Sequence, residues 1–524
     1  MRSAIGTCLF SVFALLSAPA LATPHHPGEP QPNDALPNAA LPNAALPNDA
    51  LPNDAQPNDA IPQYVLEAIR IDGNRRTLKG LILRHLELRP GEVFASSDPR
   101  LENAKYRLLA TGLFHSVQFD LHKGAAPGYV VLHITVSERN TFVLRDLSFG
   151  LTRIGPYWDQ ISPWGSIGIG NRSFLGSGVN VYGTVAGGRE QFAFNVGLSD
   201  DHIFHSNIGL RFEGLFAEGS EYFGQHYLPA PGEADTFAPY SQLAFRRTAL
   251  RFGSSYNRLA HYSFSLDFRF ESILADKPKL VDSSGTETAL NAPAQGLDPA
   301  PPTPHDADLS PVGHLEPDLS TLTTLAFGFV RDTRDSALLT TKGALTHFTA
   351  ELSHPIIGSS YEYTRFTIGN SAWFPFGRKL AQSFCLTTGA GLVVGNAPFF
   401  EQFFVGDYSA FIPSRVLGLN FTNLHPNLLN TAIKKMWYED IAANIGLTWN
   451  VALYRGQGGL YGIDGFINAG FFALTSSDKI GTGGFPVDMT ADLGVRFDTH
   501  FGLFTISLGS IIQLVPPLYK GTTE

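Results

Sequence analysis

The chain is short of cysteine, of charge and of long apolar runs, and each shortage removes a class of protein. It holds 2 cysteines in 524 residues, Cys8 and Cys385. Cys8 lies inside an export signal described below, so the mature chain is expected to keep Cys385 alone, without an intramolecular disulfide. Charged residues make up 16% of the chain and the net charge is −10. That balance excludes the basic surface a nucleic-acid partner requires. No stretch reaches the ~18 consecutive apolar residues of a transmembrane helix. Either the chain is soluble or it spans a membrane as strands. Gly-x-Ser-x-Gly elbows, phosphate loops and carboxylate pairs of recognisable spacing are also missing, so no enzyme activity and no cofactor are expected.

Aromatics and glycine are plentiful, at 12% and 52 residues. That mix suits a β-rich protein with many turns and a half-apolar surface. Residues 1–22 read as a signal peptide: Arg2 supplies the charge, Ala4 to Leu16 the apolar run, and Ala20-Leu21-Ala22 the small-residue cleavage site. Residues 23–62 form a Pro/Asn/Ala-rich linker, with a five-residue repeat from Gln31 to Ala60. Proline at every fifth position prevents a packed core and leaves a semi-extended spacer.

Residues 63–141 change character. Val65 to Ile71 read as a strand, and Leu78, Leu81, Ile82, His85 and Leu86 recur at helical spacing. Asp98 and Pro99 open a second helix with an apolar stripe of Leu101, Ala104, Leu108 and Leu109, and Gly112 ends it. Val117, Phe119 and Leu121 alternate, as do Val130, Leu132, Ile134 and Val136. The order β-α-α-β-β predicts a three-stranded sheet under two helices.

From residue 142 to 524 the pattern is that of a transmembrane barrel. Phe264, Leu266, Phe268 and Phe270 alternate with Ser265, Asp267, Arg269 and Glu271. Residues 206–214 and 491–498 repeat the arrangement. Segments of about ten residues with one apolar and one charged face fit a sheet between lipid and an aqueous lumen. Closure into a barrel is what satisfies the backbone there. A long loop is expected at 274–320, shorter ones at 218–241, 395–437 and 472–487, and tight turns at 331–343, 455–459 and 499–502. Asp201, His202 and His205 have the look of half a metal site, but a strand end explains them better, and no metal is expected.

Residues 63–141 resemble a POTRA domain through Ile71-Asp72-Gly73-Asn74, Leu88-Arg89-Pro90-Gly91-Glu92, Gly112-Leu113-Phe114 with Val117, and Val136 with Glu138. The barrel adds Asn171 through Gly178, Leu198-Ser199-Asp200-Asp201, Arg331-Asp332-Thr333-Arg334-Asp335 with Thr341-Lys342-Gly343, and Gly494 through Leu503. Together, over 63 to about 514, these resemble the BamA/TamA superfamily of outer-membrane assembly and secretion proteins. The fold implied is a transmembrane antiparallel β-barrel of about sixteen strands behind one α+β POTRA-like domain. The alternation itself gives about fifteen.

The resemblance implies an outer-membrane location with the N-terminal domain in the periplasm. It implies an assembly factor that inserts unfolded polypeptides by strand augmentation at the domain's edge and at the barrel seam. The alternatives are a polypeptide-secretion pore and a passive porin-like barrel. Implied partners are unfolded outer-membrane or secreted polypeptides, outer-membrane lipid and accessory lipoproteins.

The resemblance also implies a lid loop that folds into the lumen, an arginine at its tip paired with an acid on a strand. Here the loop runs from Gly406 through Arg415 to Leu417-Gly418-Leu419, and the strand motif reads Phe466-Ile467-Asn468-Ala469-Gly470. If Gly418 is the tip glycine, the arginine and the acid are both gone. A neutral lid is then expected, held by Leu417 and Leu419, with Asn468 hydrogen-bonded in the lumen. The competing expectation has Arg415 donating to Asn468 or Asp464. Arg331, Asp332, Arg334, Asp335 and Gly343 are expected as a turn near the periplasmic mouth rather than an ion-selective ring.

Overall fold

A computed structural model describes residues 63–153, 161–203, 206–223, 240–257, 261–281, 287–289, 315–335, 339–377, 381–404, 415–421, 438–456, 458–476 and 487–512. The expected signal and repeat lie outside the described residues, as do Gly406 and His205.

The N-terminal unit contains β1 (Gln63–Asp72), α1 (Lys79–Arg84), β2 (Val93–Ala95), α2 (Pro99–Ala110), β3 (Phe114–Lys123) and β4 (Tyr129–Glu138). Its sheet order is β2-β1-β4-β3. β1 and β4 are parallel, a pairing that needs a crossover, which the helices supply. Asp98 caps α2 by accepting from the Arg100 N–H at 2.9 Å, and Pro99 occupies the first turn. Leu66, Ile82, Leu108, Leu132 and Ile134 form the buried centre. The sheet has four strands rather than the expected three. β2 adds three residues along the start of β1. With only Phe94 buried among them, they carry too little alternation to be read as a strand.

The barrel begins at β5 (Phe142–Arg153) and continues through β6 (Ile161–Asn171), β7 (Asn180–Gly188), β8 (Gln191–Asp200) and β9 (Ile208–Phe223). Next come β10 (Tyr240–Tyr256), β11 (Tyr262–Ala275), the short β12 (Lys279–Val281) and β13 (Glu287–Ala289), and β14 (Asp318–Asp332). Then follow β15 (Gly343–Ser353), β16 (Glu362–Phe376), β17 (Gln382–Asn396), β18 (Phe403–Phe404) and β19 (Tyr438–Glu439). The last are β20 (Ile441–Arg455), β21 (Leu460–Thr475), β22 (Asp488–Thr499) and β23 (Gly502–Ile512). β18 and β19 pair only with each other, and β12–β13 is a hairpin that extends the wall. Setting those aside, fifteen long strands make the ring among the described residues. Residues 218–223, expected in a loop, belong to β9 and pair with the start of β10. Gly219 and Ser220 weaken the strand signal there, but the neighbouring strands supply the ladder.

On β11 the two faces separate as the alternation requires. Phe264, Leu266, Phe268 and Phe270 are exposed on the outside, while Asp267, Arg269 and Glu271 are buried inside. The outward band meets lipid and the inward one lines the lumen.

The α+β unit sits at one end of the barrel, called here the near end. Its Leu78 N–H donates to the Gly176 carbonyl at 3.1 Å. Arg84 donates to the carbonyls of Ser177 (2.9 Å) and His202 (3.1 Å).

Candidate functional site

Three places are built beyond what a plain barrel requires: the near-end junction, the lumen filling and the seam. At the junction, the rings of His85 on the α+β unit and His202 on the turn after β8 meet edge to face, 4.6 Å between centroids. Arg84 reaches Asp200 at 3.5 Å beside them. Burial holds His85 well below its ordinary value, and His202, Arg84 and Arg107 add to the effect. Burial, then Arg84, lowers His202 to about 4. Asp201 is pushed up to about 6 by burial and by Asp200. Among the described residues, no group of three or more His, Cys, Asp or Glu is arranged to hold a metal ion.

The β14–β15 turn carries the arginine–aspartate motif. Asp332 is fully buried and accepts from Arg334, whose Nη2 lies 2.7 Å away. Asp335 accepts from the N–H groups of Thr341 (2.9 Å) and Lys342 (3.1 Å). Gly343 begins β15 with φ +100°. Arg331 is exposed. The charges close one turn upon itself.

At the far end the lumen is packed with apolar side chains. After β17 the chain turns inward through a 3-10 turn at Phe399–Glu401 and enters β18. Phe399, Phe400, Phe403, Phe404, Leu419 and Phe421 pack there with Trp164, Leu243, Phe245, Tyr363 and Tyr438. Leu417 is partly buried against the same cluster. Val416 and Leu419 exchange backbone hydrogen bonds at 2.8 and 2.9 Å, closing a two-residue turn. Its corners have positive φ, 52° at Leu417 and 81° at Gly418, the geometry of a type I′ hairpin turn. A Cβ on Gly418 would stand 2.8 Å from Arg247 Nη1 and displace that guanidinium, but it is the positive φ of the turn that favours glycine here.

The tip lies against β8, β9 and β10. Gln191 donates to the Asn420 carbonyl at 3.1 Å, and Asn420 to Glu221 at 3.5 Å. Asn468 stands on β21, across the ring, where it accepts from Thr448 at 3.1 Å. The structure therefore does not bring Asn468 to the tip. Arg415 does not reach Asn468 or Asp464 either. It donates to the carbonyls of Phe400 (2.7 Å) and Gln402 (3.3 Å), joining the two inward segments. Asp464 pairs instead with Arg455.

Nor is the filling neutral, as the loss of a tip arginine suggested. Glu401 is buried and accepts from Arg269 Nη1 at 2.8 Å. Arg247 and Arg365 approach it at 4.0 and 3.9 Å. Sequence reading placed Arg269 and Glu271 on the inward face, but it missed Glu401. A lone acid in a long loop has no periodicity to mark it, and its partners lie on distant strands.

Every laddered pair in the ring is antiparallel. An odd number of long strands then makes the first and last, β5 and β23, run the same way. Among the described residues they meet at the near end. There the Leu144 N–H donates to the Phe501 carbonyl (2.9 Å) and Asn140 Nδ2 to the His500 carbonyl (3.3 Å).

An apolar outer belt, a polar and plugged lumen and a docked α+β unit define a membrane β-barrel of the outer-membrane kind. Residues 173–513 match the Omp85 superfamily domain, and the chain belongs to that superfamily. Among solved structures it is similar to BamA from Haemophilus ducreyi lacking POTRA domains 1–3 (14% identity, 86% of this chain and 85% of that one, TM-score 0.45). It is also similar to CdiB from Acinetobacter baumannii (11%, 86% and 74%, 0.47). CdiB from Escherichia coli matches at 10% identity over 86% and 76%, with a TM-score of 0.50. No curated protein matches the sequence.

Proposed function

We propose that the chain is an outer-membrane assembly factor whose α+β unit is a periplasmic POTRA domain. On this reading the near end faces the periplasm and the far end the cell exterior. One observation carries it: β5 and β23 run in the same direction and meet only at the near end among the described residues. In hydrocarbon each unpaired backbone group costs several kcal/mol, so a seam closed by so few hydrogen bonds among the described residues favours a strand that satisfies both edges. A strand entering between them is antiparallel to β5 and to β23 alike. An unfolded barrel protein supplies such strands, and its own folding provides the free energy. The outer edge of β3 offers the same chemistry in the periplasm.

The test is insertion of a urea-unfolded outer-membrane barrel protein into liposomes, followed by its heat-modifiable gel mobility. Liposomes carrying the chain should fold the client faster than empty ones. Equal rates contradict the reading.

A polypeptide-secretion pore is the second reading. It is favoured by the way the lumen is filled, from one loop region between β17 and β20, so that a single movement would clear it. A secretion pore conducts ions once cleared and does not accelerate client insertion.

A further inference from the structure

The wall around Glu401 is unusual for a lumen otherwise packed with phenylalanine. Three arginines converge on the inward segment from β10, β11 and β16. Arg269 donates to Glu401 at 2.8 Å and to Glu351 at 2.8 Å. Arg247 pairs with Glu271 and lays its guanidinium 3.7 Å over the Phe400 ring. Arg365 stands 3.9 Å from Glu401 and 5.1 Å over the Phe403 ring. The Arg365 Nε is buried and has no hydrogen-bond partner, so the cluster keeps an unused donor directed into the protein.

The charges balance only while the segment is in place. Arg247, Arg269 and Arg365 face Glu271, Glu351 and Glu401. Five of these six side chains belong to the wall, and Glu401 alone belongs to the filling. When residues 399–404 withdraw, one positive charge is left without its acid, in a lumen where Arg365 already has spare capacity. Removing one member of a buried pair is costly because the other stays desolvated, so a replacement anion is drawn in.

We propose that the arginine cluster of β10, β11 and β16 is a carboxylate-binding site, that Glu401 is its resident ligand, and that an acidic side chain of a passing polypeptide takes its place when the lumen opens. Glu401 is thus a positioning residue for the lid and marks what the open lumen binds. The inference rests on the reading that the lumen can be cleared. It does not depend on the seam.

Purified full-length chain in planar bilayers tests it, with open fraction measured at fixed voltage and reversal potential in a potassium chloride gradient. Glu401→Gln should raise the open fraction roughly tenfold or more, since it breaks a buried charge pair. The open channel should prefer chloride, and Arg269→Gln added to Glu401→Gln should weaken that preference. Hexaglutamate should block the opened channel, and hexalysine should not. If Glu401→Gln fails the heat-modifiability check for a folded barrel, Glu401→Asp decides. It keeps the charge on a shorter arm and should open more often than the parent while remaining sensitive to hexaglutamate. An unchanged open fraction, or an open channel indifferent to hexaglutamate and to Arg269→Gln, overturns the proposal. Neither result bears on client insertion, and loss of insertion with these currents intact counts against the seam alone.

Discussion

Arg211 on β9 and Asp267 on β11 form an ion pair across the strand between them. The residue of β10 in register with both is Gly253. A Cβ there would fall 2.2 Å from Asp267 Oδ1, so the intervening strand leaves its side-chain position empty for the pair. Asp267 is therefore more than a polar residue on the lumen side. Its replacement by asparagine, which the alternation alone suggests is mild, strips a buried arginine of its charge partner. Asp267→Asn should cost about 1–3 kcal/mol, because asparagine still accepts a hydrogen bond from Arg211 but leaves its charge unpaired. Phe268→Arg should cost about 2–4 kcal/mol by placing charge in hydrocarbon. Adding Arg211→Gln should recover most of the first loss and none of the second. Refolding titrations into detergent or lipid measure all four proteins, and recovery of Phe268→Arg would mean the register is off by one residue.

Acid should loosen the near-end junction. His85 and His202 are both held neutral in the folded protein, so the unfolded chain takes up protons first. Their contribution is complete above the ordinary value of 6.5 and is lost as pH falls toward about 4, the folded value of His202. Asp201 has the opposite sign. Its contribution is complete below its ordinary 3.8 and is lost as pH rises through about 6, so it offsets part of the loss. Two histidines against one aspartate leave net weakening between about 6.5 and 4. Protease sensitivity of the junction should rise over that window, and His85→Gln with His202→Gln should abolish the rise and leave only the opposite trend from Asp201. A junction equally protected at pH 7 and pH 4.5 contradicts the expectation.

Arg415 ties the two inward segments through the carbonyls of Phe400 and Gln402. Arg415→Ala should expose residues 399–421 to protease added outside intact cells, whereas Asn468→Asp should not. Exposure by the Asn468 variant alone would restore the strand partner that the family resemblance implies.

Deletion of 63–141 should leave a barrel that still shifts mobility on boiling, because the ladders from β5 to β23 form without the unit. The same deletion should abolish client insertion in liposomes. Full insertion activity after deletion would favour a passive barrel.

The barrel was legible because its signal is periodic. On β11, four apolar residues opposite Asp267, Arg269 and Glu271 fix which face meets lipid. The helices of the α+β unit were legible through Asp98, Pro99 and the stripe ending at Leu109. The lumen filling was not. Its partners join β8, β9, β10, β11 and β16 to a loop more than a hundred residues further along the chain in most cases, and no local pattern records which arginine meets Glu401. At the tip Leu419 is buried and Leu417 packs beside it, while the charge that the expected neutral lid leaves out sits on Glu401 in the preceding inward segment.

Opening of the seam is tested most directly by locking it. Leu144→Cys and Phe501→Cys, introduced with Cys385→Ser, place a thiol on each side of the hydrogen bond that joins β5 to the turn residue just before β23. With the disulfide formed, client insertion in liposomes should stop, and reductant should restore it to the rate of the Cys385→Ser protein. Undiminished insertion through a seam shown by mobility shift to be crosslinked would contradict the account.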